Sequence, residues 1–126
     1  MLSPYISVTL MSGPRDGEVL RFDINPEDAE IILTIGRRDT CDICLNYDSQ
    51  VSRLHAQIRY DGEGFWLEDL DSRNGTFLNG KRVENRSPIT PGTLFRVGRT
   101  SLRLDPLPPD ETQTSRPISD DSGDPF

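Results

Sequence analysis

Three short pieces of this chain carry polar groups that no strand pattern explains: Gly36-Arg37, Ser52-Arg53-Leu54-His55 and Ser72-Arg73-Asn74-Gly75-Thr76. Each stands at the end of an apolar run or between two such runs, where loops leave a β scaffold and where function commonly sits. Together they offer three guanidiniums, three hydroxyls and one carboxamide, a donor-rich set with no obvious catalytic base. Such a set suits an anion. A phosphate fits best, because it takes arginine forks and hydroxyl hydrogen bonds at once.

His55 is the only histidine, and its neighbourhood with Ser52 and several acids invites a hydrolase reading. Against it, no Gly-x-Ser-x-Gly and no strand-to-helix nucleophile turn is present. Cys41 and Cys44 form a single Cys-x-x-Cys. As a zinc site the pair lacks a second pair of ligands, and as a redox pair it lacks a strand-then-helix setting. The plain expectation is one loop and one strand cysteine, both reduced in a cytoplasmic protein, with no metal and no cofactor.

The elements that must position these loops are short strands. Tyr5–Met11 alternates apolar and polar residues, and Glu18–Asp23 follows a turn-rich Ser12–Gly17 loop. Ile31–Ile35 is a continuous apolar and β-branched run, expected to be covered at least partly on both faces, and it delivers Gly36 and Arg37. Asp28–Glu30 before it is too short to make more than one helical turn. Short strands are predicted near Ile43–Leu45, over Ala56–Tyr60 and over Phe65–Leu70, the last two joined by Asp61-Gly62. Thr76–Leu78 and Lys81–Val83 flank Asn79-Gly80, a type I′ hairpin signal. Leu94–Val97 and Ser101–Leu104 form a last hairpin, preceded by a loop that Pro88 and Pro91 punctuate. About ten strands and no convincing helix indicate an all-β sandwich.

Composition limits the partners. The net charge is −7, but six acids against Arg116 fall after Leu104, so the body is close to neutral. A nucleic-acid module working by bulk charge would be strongly basic. No apolar run approaches membrane-spanning length, and the N-terminus lacks a charged leader pattern.

The order Gly-Arg, Ser-Arg-x-His, Asn-Gly-Thr, with fourteen residues between Arg37 and Ser52 and eighteen between His55 and Asn74, resembles the forkhead-associated (FHA) family of phosphothreonine-peptide readers. Cys41-Asp42-Ile43-x-Leu45, Val51-Ser52 and Asp69-Leu70-x-Ser72 are similar as well. The resemblance covers 5–104 and implies a two-sheet sandwich of about 10–11 short strands with a peptide site on loops at one end. It implies a binding module rather than an enzyme, an adaptor or regulator in Ser/Thr kinase signalling. Its partner would be a phosphothreonine protein, either a kinase substrate or the kinase itself. The alternative is a phosphate-independent scaffold subunit of a larger assembly.

By the same resemblance Arg37, Ser52 and Arg53 meet the phosphate, and Asn74 holds the peptide backbone. Gly36, His55, Gly75 and Thr76 shape the loops. Arg73 departs from the family, in which Ser or Thr is common; an arginine there adds a charge-assisted bond, favours acidic ligands or points outward. Residues 1–4 are a short lead. Residues 105–126 are acidic, rich in Pro, Ser and Thr, and expected to be disordered. Thr112 and Thr114 lie beside acids there, and either, once phosphorylated, could fill the site of its own chain or of a second copy. From Leu104 to Thr112 the chain spans at most about 26–29 Å, which makes the first route marginal.

Overall fold

Strand β1 (Tyr5–Leu10) buries Ile6, Val8 and Leu10 completely, the period-2 alternation read from the sequence. A computed structural model describes residues 5–25, 27 and 30–107. After β1 come β2 (Val19–Asp23), β3 (Ile31–Gly36), β4 (Ile43–Cys44), β5 (Ala56–Tyr60) and β6 (Phe65–Asp69). Then follow β7 (Thr76–Leu78), β8 (Lys81–Arg82), β9 (Arg86–Ile89), β10 (Leu94–Val97) and β11 (Thr100–Leu107).

They form two sheets, ordered β2-β1-β11-β10-β7-β8 and β4-β3-β5-β6-β9. Every pairing is antiparallel except the short parallel contact of β3 with β4. One buried cluster draws on both sheets: Val8, Leu102 and Phe95 from the first, and Ile35, Ile58 and Leu67 from the second. The fold is therefore the expected all-β sandwich, and no helix occurs among the described residues. None is long and apolar enough to cross a membrane. The one-turn helix considered at Asp28–Glu30 falls largely outside the described residues, as do residues 108–126 with Thr112 and Thr114.

Two elements differ from the sequence pattern. Arg86–Ile89, read as a loop because of Pro88, is strand β9. It is an edge strand, paired only with β6, so the missing proline N–H removes no ladder bond. β3 is also less covered than its apolar run suggests: Leu33 and Ile35 face the core, while Ile32 on the other face is 39% exposed.

Register fixes which loops share an end. Ile35, Ala56 and Asp69 lie in one row of the second sheet, and Thr76, Val97 and Thr100 in one row of the first. The segments 37–55, 70–75 and 98–99 therefore emerge together. Tyr5 and Leu107 pair with each other at the opposite end. β11 continues through Leu107, three residues beyond the hydrophobic pattern.

Candidate functional site

The 52–55 turn is zipped against the end of β3. Arg37 N donates to Ser52 O (3.1 Å), Arg38 N to Arg53 O (3.2 Å) and His55 N to Ile35 O (2.8 Å). Only glycine fits between them: a Cβ on Gly36 would lie 2.1 Å from the Arg53 carbonyl oxygen. The glycine before Arg37 is thus explained by the close approach of two backbones.

His55 is fully buried and locks this turn to the next loop. Its Nδ1 accepts the Ser52 N–H at 2.9 Å, and its Nε2 lies 2.9 Å from Gly75 O. A backbone N–H can only donate, so Nδ1 is bare and Nε2 carries the proton that goes to the carbonyl. Burial lowers the His55 pKa; the Gly75 carbonyl and the Asp69 and Asp48 charges oppose this without overcoming it. A histidine held neutral on two backbone groups is a brace. It is the Ser52 N–H, not the hydroxyl, that it contacts, so the Ser–His pair of a hydrolase is not assembled.

The 70–75 loop is built around Asp69. Its Oδ1 accepts the hydroxyls of Ser72 (2.5 Å) and Thr76 (2.7 Å), and Ser72 Oγ in turn accepts Gly75 N–H (3.0 Å). Burial would raise the Asp69 pKa, but these hydroxyls and the Ser72 N–H outweigh it and hold the carboxylate ionised. Gly75 adopts φ +91°, the left-handed region in which a side chain is strained. Ser72 and Thr76 are buried and their hydroxyls are engaged internally. Of the three hydroxyls that suited a phosphate by type, only that of Ser52 lines the cleft.

Asp48, absent from the sequence reading, plays the same part on the other side. It accepts Gln50 N, Arg99 N and the Thr100 hydroxyl, joining the 37–55 segment to the β10–β11 turn. Burial would raise its pKa too, and the Thr100 hydroxyl with the two N–H groups brings it below the usual carboxylate range.

These braces frame an open cleft of about 330 Å³ lined by Arg37, Gln50, Ser52, Arg53, Arg73 and Asn74, with Ser49 and Val51. Arg37 Nε donates to Val51 O (2.5 Å), and its two terminal nitrogens meet no hydrogen-bond partner among the described residues. Asn74 Nδ2 donates to Gln50 O (2.9 Å), leaving its carbonyl oxygen uncommitted. Arg73 N donates to Ser52 Oγ (3.2 Å), so the two loops meet across the cleft while that hydroxyl keeps its own proton to give. Arg37, Ser52, Arg53, Arg73 and Asn74 are thus brought together, and Gly36, His55, Gly75 and Thr76 lie behind them. Gln50 and Asp69 were missed. The signal for Asp69 was its place three residues before Ser72, an Asx-type spacing.

Cys41 and Cys44 are free. Burial pushes the Cys41 thiol pKa up, and its Sγ sits 3.5 Å from Arg53 O. Among the described residues no group of three or more His, Cys, Asp and Glu gathers as for a metal.

Residues 33–98 match the FHA domain family. The FHA domain-containing protein FhaB of Mycobacterium tuberculosis is 36% identical over 74 residues, 59% of this chain and 47% of that protein. The oxoglutarate dehydrogenase inhibitor of Corynebacterium jeikeium is 33% identical over 90 residues, 71% of this chain and 57% of that protein. The chain spans about half the length of these curated relatives. A solved structure from a structural and functional analysis of phosphothreonine-dependent FHA domain interactions is 28% identical with TM-score 0.67, covering 82% of this chain and 98% of that one.

Proposed function

This chain belongs to the FHA domain family, and from that premise we propose that it is a phosphothreonine-dependent peptide-binding module, an adaptor or regulator in Ser/Thr kinase signalling. The observation that carries the reading is the cleft itself. It gathers Arg37, Ser52, Arg53, Arg73 and Asn74 on rigidly braced loops, with no base poised for chemistry. A phosphothreonine brings about −1.5 to −2 charge and three acceptor oxygens. In this reading Arg37, Ser52 and Arg53 hold those oxygens, and the free Asn74 carbonyl accepts a peptide N–H. Each hydrogen bond to a charged group contributes roughly 1.5–3 kcal/mol. A few of these, less the ordering terms, match the roughly 8 kcal/mol of a micromolar complex.

The partners would be phosphothreonine proteins, kinase substrates or a kinase, met in a reducing compartment such as the cytoplasm. The solved relative studied for phosphothreonine-dependent interactions supports this class of ligand. The test is titration of a degenerate phosphothreonine peptide pool against the chain, with phosphoserine and unphosphorylated pools alongside. Binding confined to the phosphothreonine pool is expected. Equal binding of the unphosphorylated pool would replace this reading by the phosphate-independent scaffold.

We propose that the phosphorylated tail serves as such a ligand, and the length of β11 favours the route between two copies. With β11 running to Leu107 at the far end, only five residues separate the sheet from Thr112, at most about 18 Å. Climbing back along Thr100–Leu107 takes about 23 Å. A phosphorylated Thr112 therefore reaches the cleft of a second copy and not its own. Thr114 has seven residues and at most about 25 Å, enough only when fully extended. After phosphorylation of Thr112, sedimentation should show a dimer that forms with rising concentration. A phosphorylated chain that stays monomeric with its cleft filled would contradict this.

A further inference from the structure

The cleft carries more positive charge than one phosphate calls for. Arg37, Arg53 and Arg73 all line it, and no Asp or Glu does. Elsewhere among the described residues Arg15, Arg21, Arg59, Arg86 and Arg103 are matched with carboxylates. Arg38, Arg82, Arg96 and Arg99 are scattered singly, so what sets the cleft apart is the gathering of three arginines around one opening. The three cleft arginines form no ion pair among the described residues. Arg37 is anchored through Nε on Val51 O, but among the described residues no side-chain hydrogen bond holds the guanidiniums of Arg53 and Arg73. The Arg73 N–H to Ser52 Oγ bond sets residue 73 directly across from the 52–53 turn, so an exposed fork stands on each side of Ser52. A phosphate of at most about two negative charges leaves one of three guanidiniums uncompensated. An unmatched arginine fork takes a second carboxylate or phosphate bidentately.

Building on the phosphopeptide reading, in which Arg37, Ser52 and Arg53 hold the phosphate, we propose that Arg73 forms a second anion subsite beside the phosphothreonine subsite. The preferred ligands are then doubly anionic segments, in which another phosphate or carboxylate lies within a few residues of the phosphothreonine. That places the physiological ligands among sequences phosphorylated twice in close succession, or phosphorylated within an acidic run.

The test compares peptides of one composition, each with one phosphothreonine and one further anion. The anion is a phosphoserine or a glutamate, placed either one to four residues from the phosphothreonine or far from it along the peptide. The far placement keeps net charge constant. Affinities are measured near physiological salt for the wild-type chain, Arg73→Ser and Arg53→Ser. At one near position the wild-type chain should bind about tenfold more tightly than the far control. That ratio should collapse toward one in Arg73→Ser, and a ratio between two peptides on one protein cancels any change in folded fraction. Phosphoserine exceeding glutamate would identify phosphate as the second anion, and equal gains a carboxylate-tolerant subsite. A near-to-far ratio of one in the wild-type chain, or a ratio unchanged in Arg73→Ser, overturns the subsite while leaving the phosphopeptide reading standing. If no peptide binds in a phosphothreonine-dependent way, both fall.

Discussion

Replacing Arg37 by Ala is expected to weaken phosphothreonine-peptide binding by at least about 100-fold, the loss of two charge-assisted bonds of roughly 1.5–3 kcal/mol each. The fold should survive, because the Arg37 side chain is exposed and its one side-chain hydrogen bond among the described residues is that of Nε to Val51 O. Losing one such bond at the surface costs about 1 kcal/mol or less. Isothermal titration with a phosphothreonine peptide, paired with thermal melts, separates the two effects. A variant that keeps its melting temperature and loses its ligand places Arg37 on the phosphate. A variant that still binds within a fewfold of wild type would move the phosphate elsewhere in the cleft. Because Arg53 and Arg73 also line the cleft, residual affinity in Arg37→Ala should fall steeply with added salt, as expected of exposed charges.

His55→Ala should act through the opposite route. It removes a fully buried ring and leaves the Ser52 N–H and the Gly75 carbonyl without partners. Two orphaned groups and the cavity together should destabilise the domain by about 4 kcal/mol. In a domain of this size that lowers the melting temperature by more than about 15 °C. Binding should fall with it, since the ring joins the Ser52 turn to the Gly75 loop. Denaturant titration measures the first effect, and a loss below about 1 kcal/mol would contradict the bracing role.

The same ring gives a pH dependence. Its folded pKa lies below the unfolded value of about 6.5, so the unfolded chain takes up a proton that the folded chain refuses. The contribution is complete above that value and is lost as pH falls toward the folded pKa. As the only histidine, His55 can be followed by nitrogen NMR, and the Nε2–H tautomer should persist in the folded protein at the pH where the unfolded chain is half protonated. An imidazolium signal there would overturn the assignment.

What the sequence showed and what it hid have separate physical causes. Strands with apolar residues at every second position, such as Tyr5–Leu10 and Ala56–Tyr60, were legible because the core-facing side of each must be apolar, even though Ser7 and Thr9 on the other side of β1 are buried too. Arg86–Ile89 was not, since Pro88 reads as a breaker unless its strand is known to lie at an edge, and edge position is a property of the sheet. At the cleft, the family resemblance pointed to Arg37, Ser52, Arg53 and Asn74, whereas residue types alone pointed only to an anion. They did not separate hydroxyls that face a ligand from those that face a carboxylate. Ser72 and Thr76 look like Ser52 in the sequence, but Asp69 claims both. Asp48 and Asp69 were overlooked for a related reason. An acid beside a loop usually stays in water, and only the fold shows that these two are enclosed by donors.

The placing of β11 bears on when the protein becomes competent during synthesis. This last strand lies inside its sheet, between β1 and β10, and joins residues almost a hundred positions apart, as in the Ser7 hydroxyl bond to Asp105 O. A nascent chain that has reached only Gly98 holds every cleft residue but lacks the strand that connects β1 and β2 to β10, β7 and β8. Its first sheet is in two pieces. Loop closure over such separations makes folding slow, on the millisecond-to-second scale for β-sandwiches. Closure of the first sheet therefore waits for β11, and with it the Asp48 brace to Arg99 and Thr100 that completes the frame of the cleft. Prematurely terminated chains would be unfolded clients of chaperones and proteases, not weaker binders competing for the same phosphoproteins.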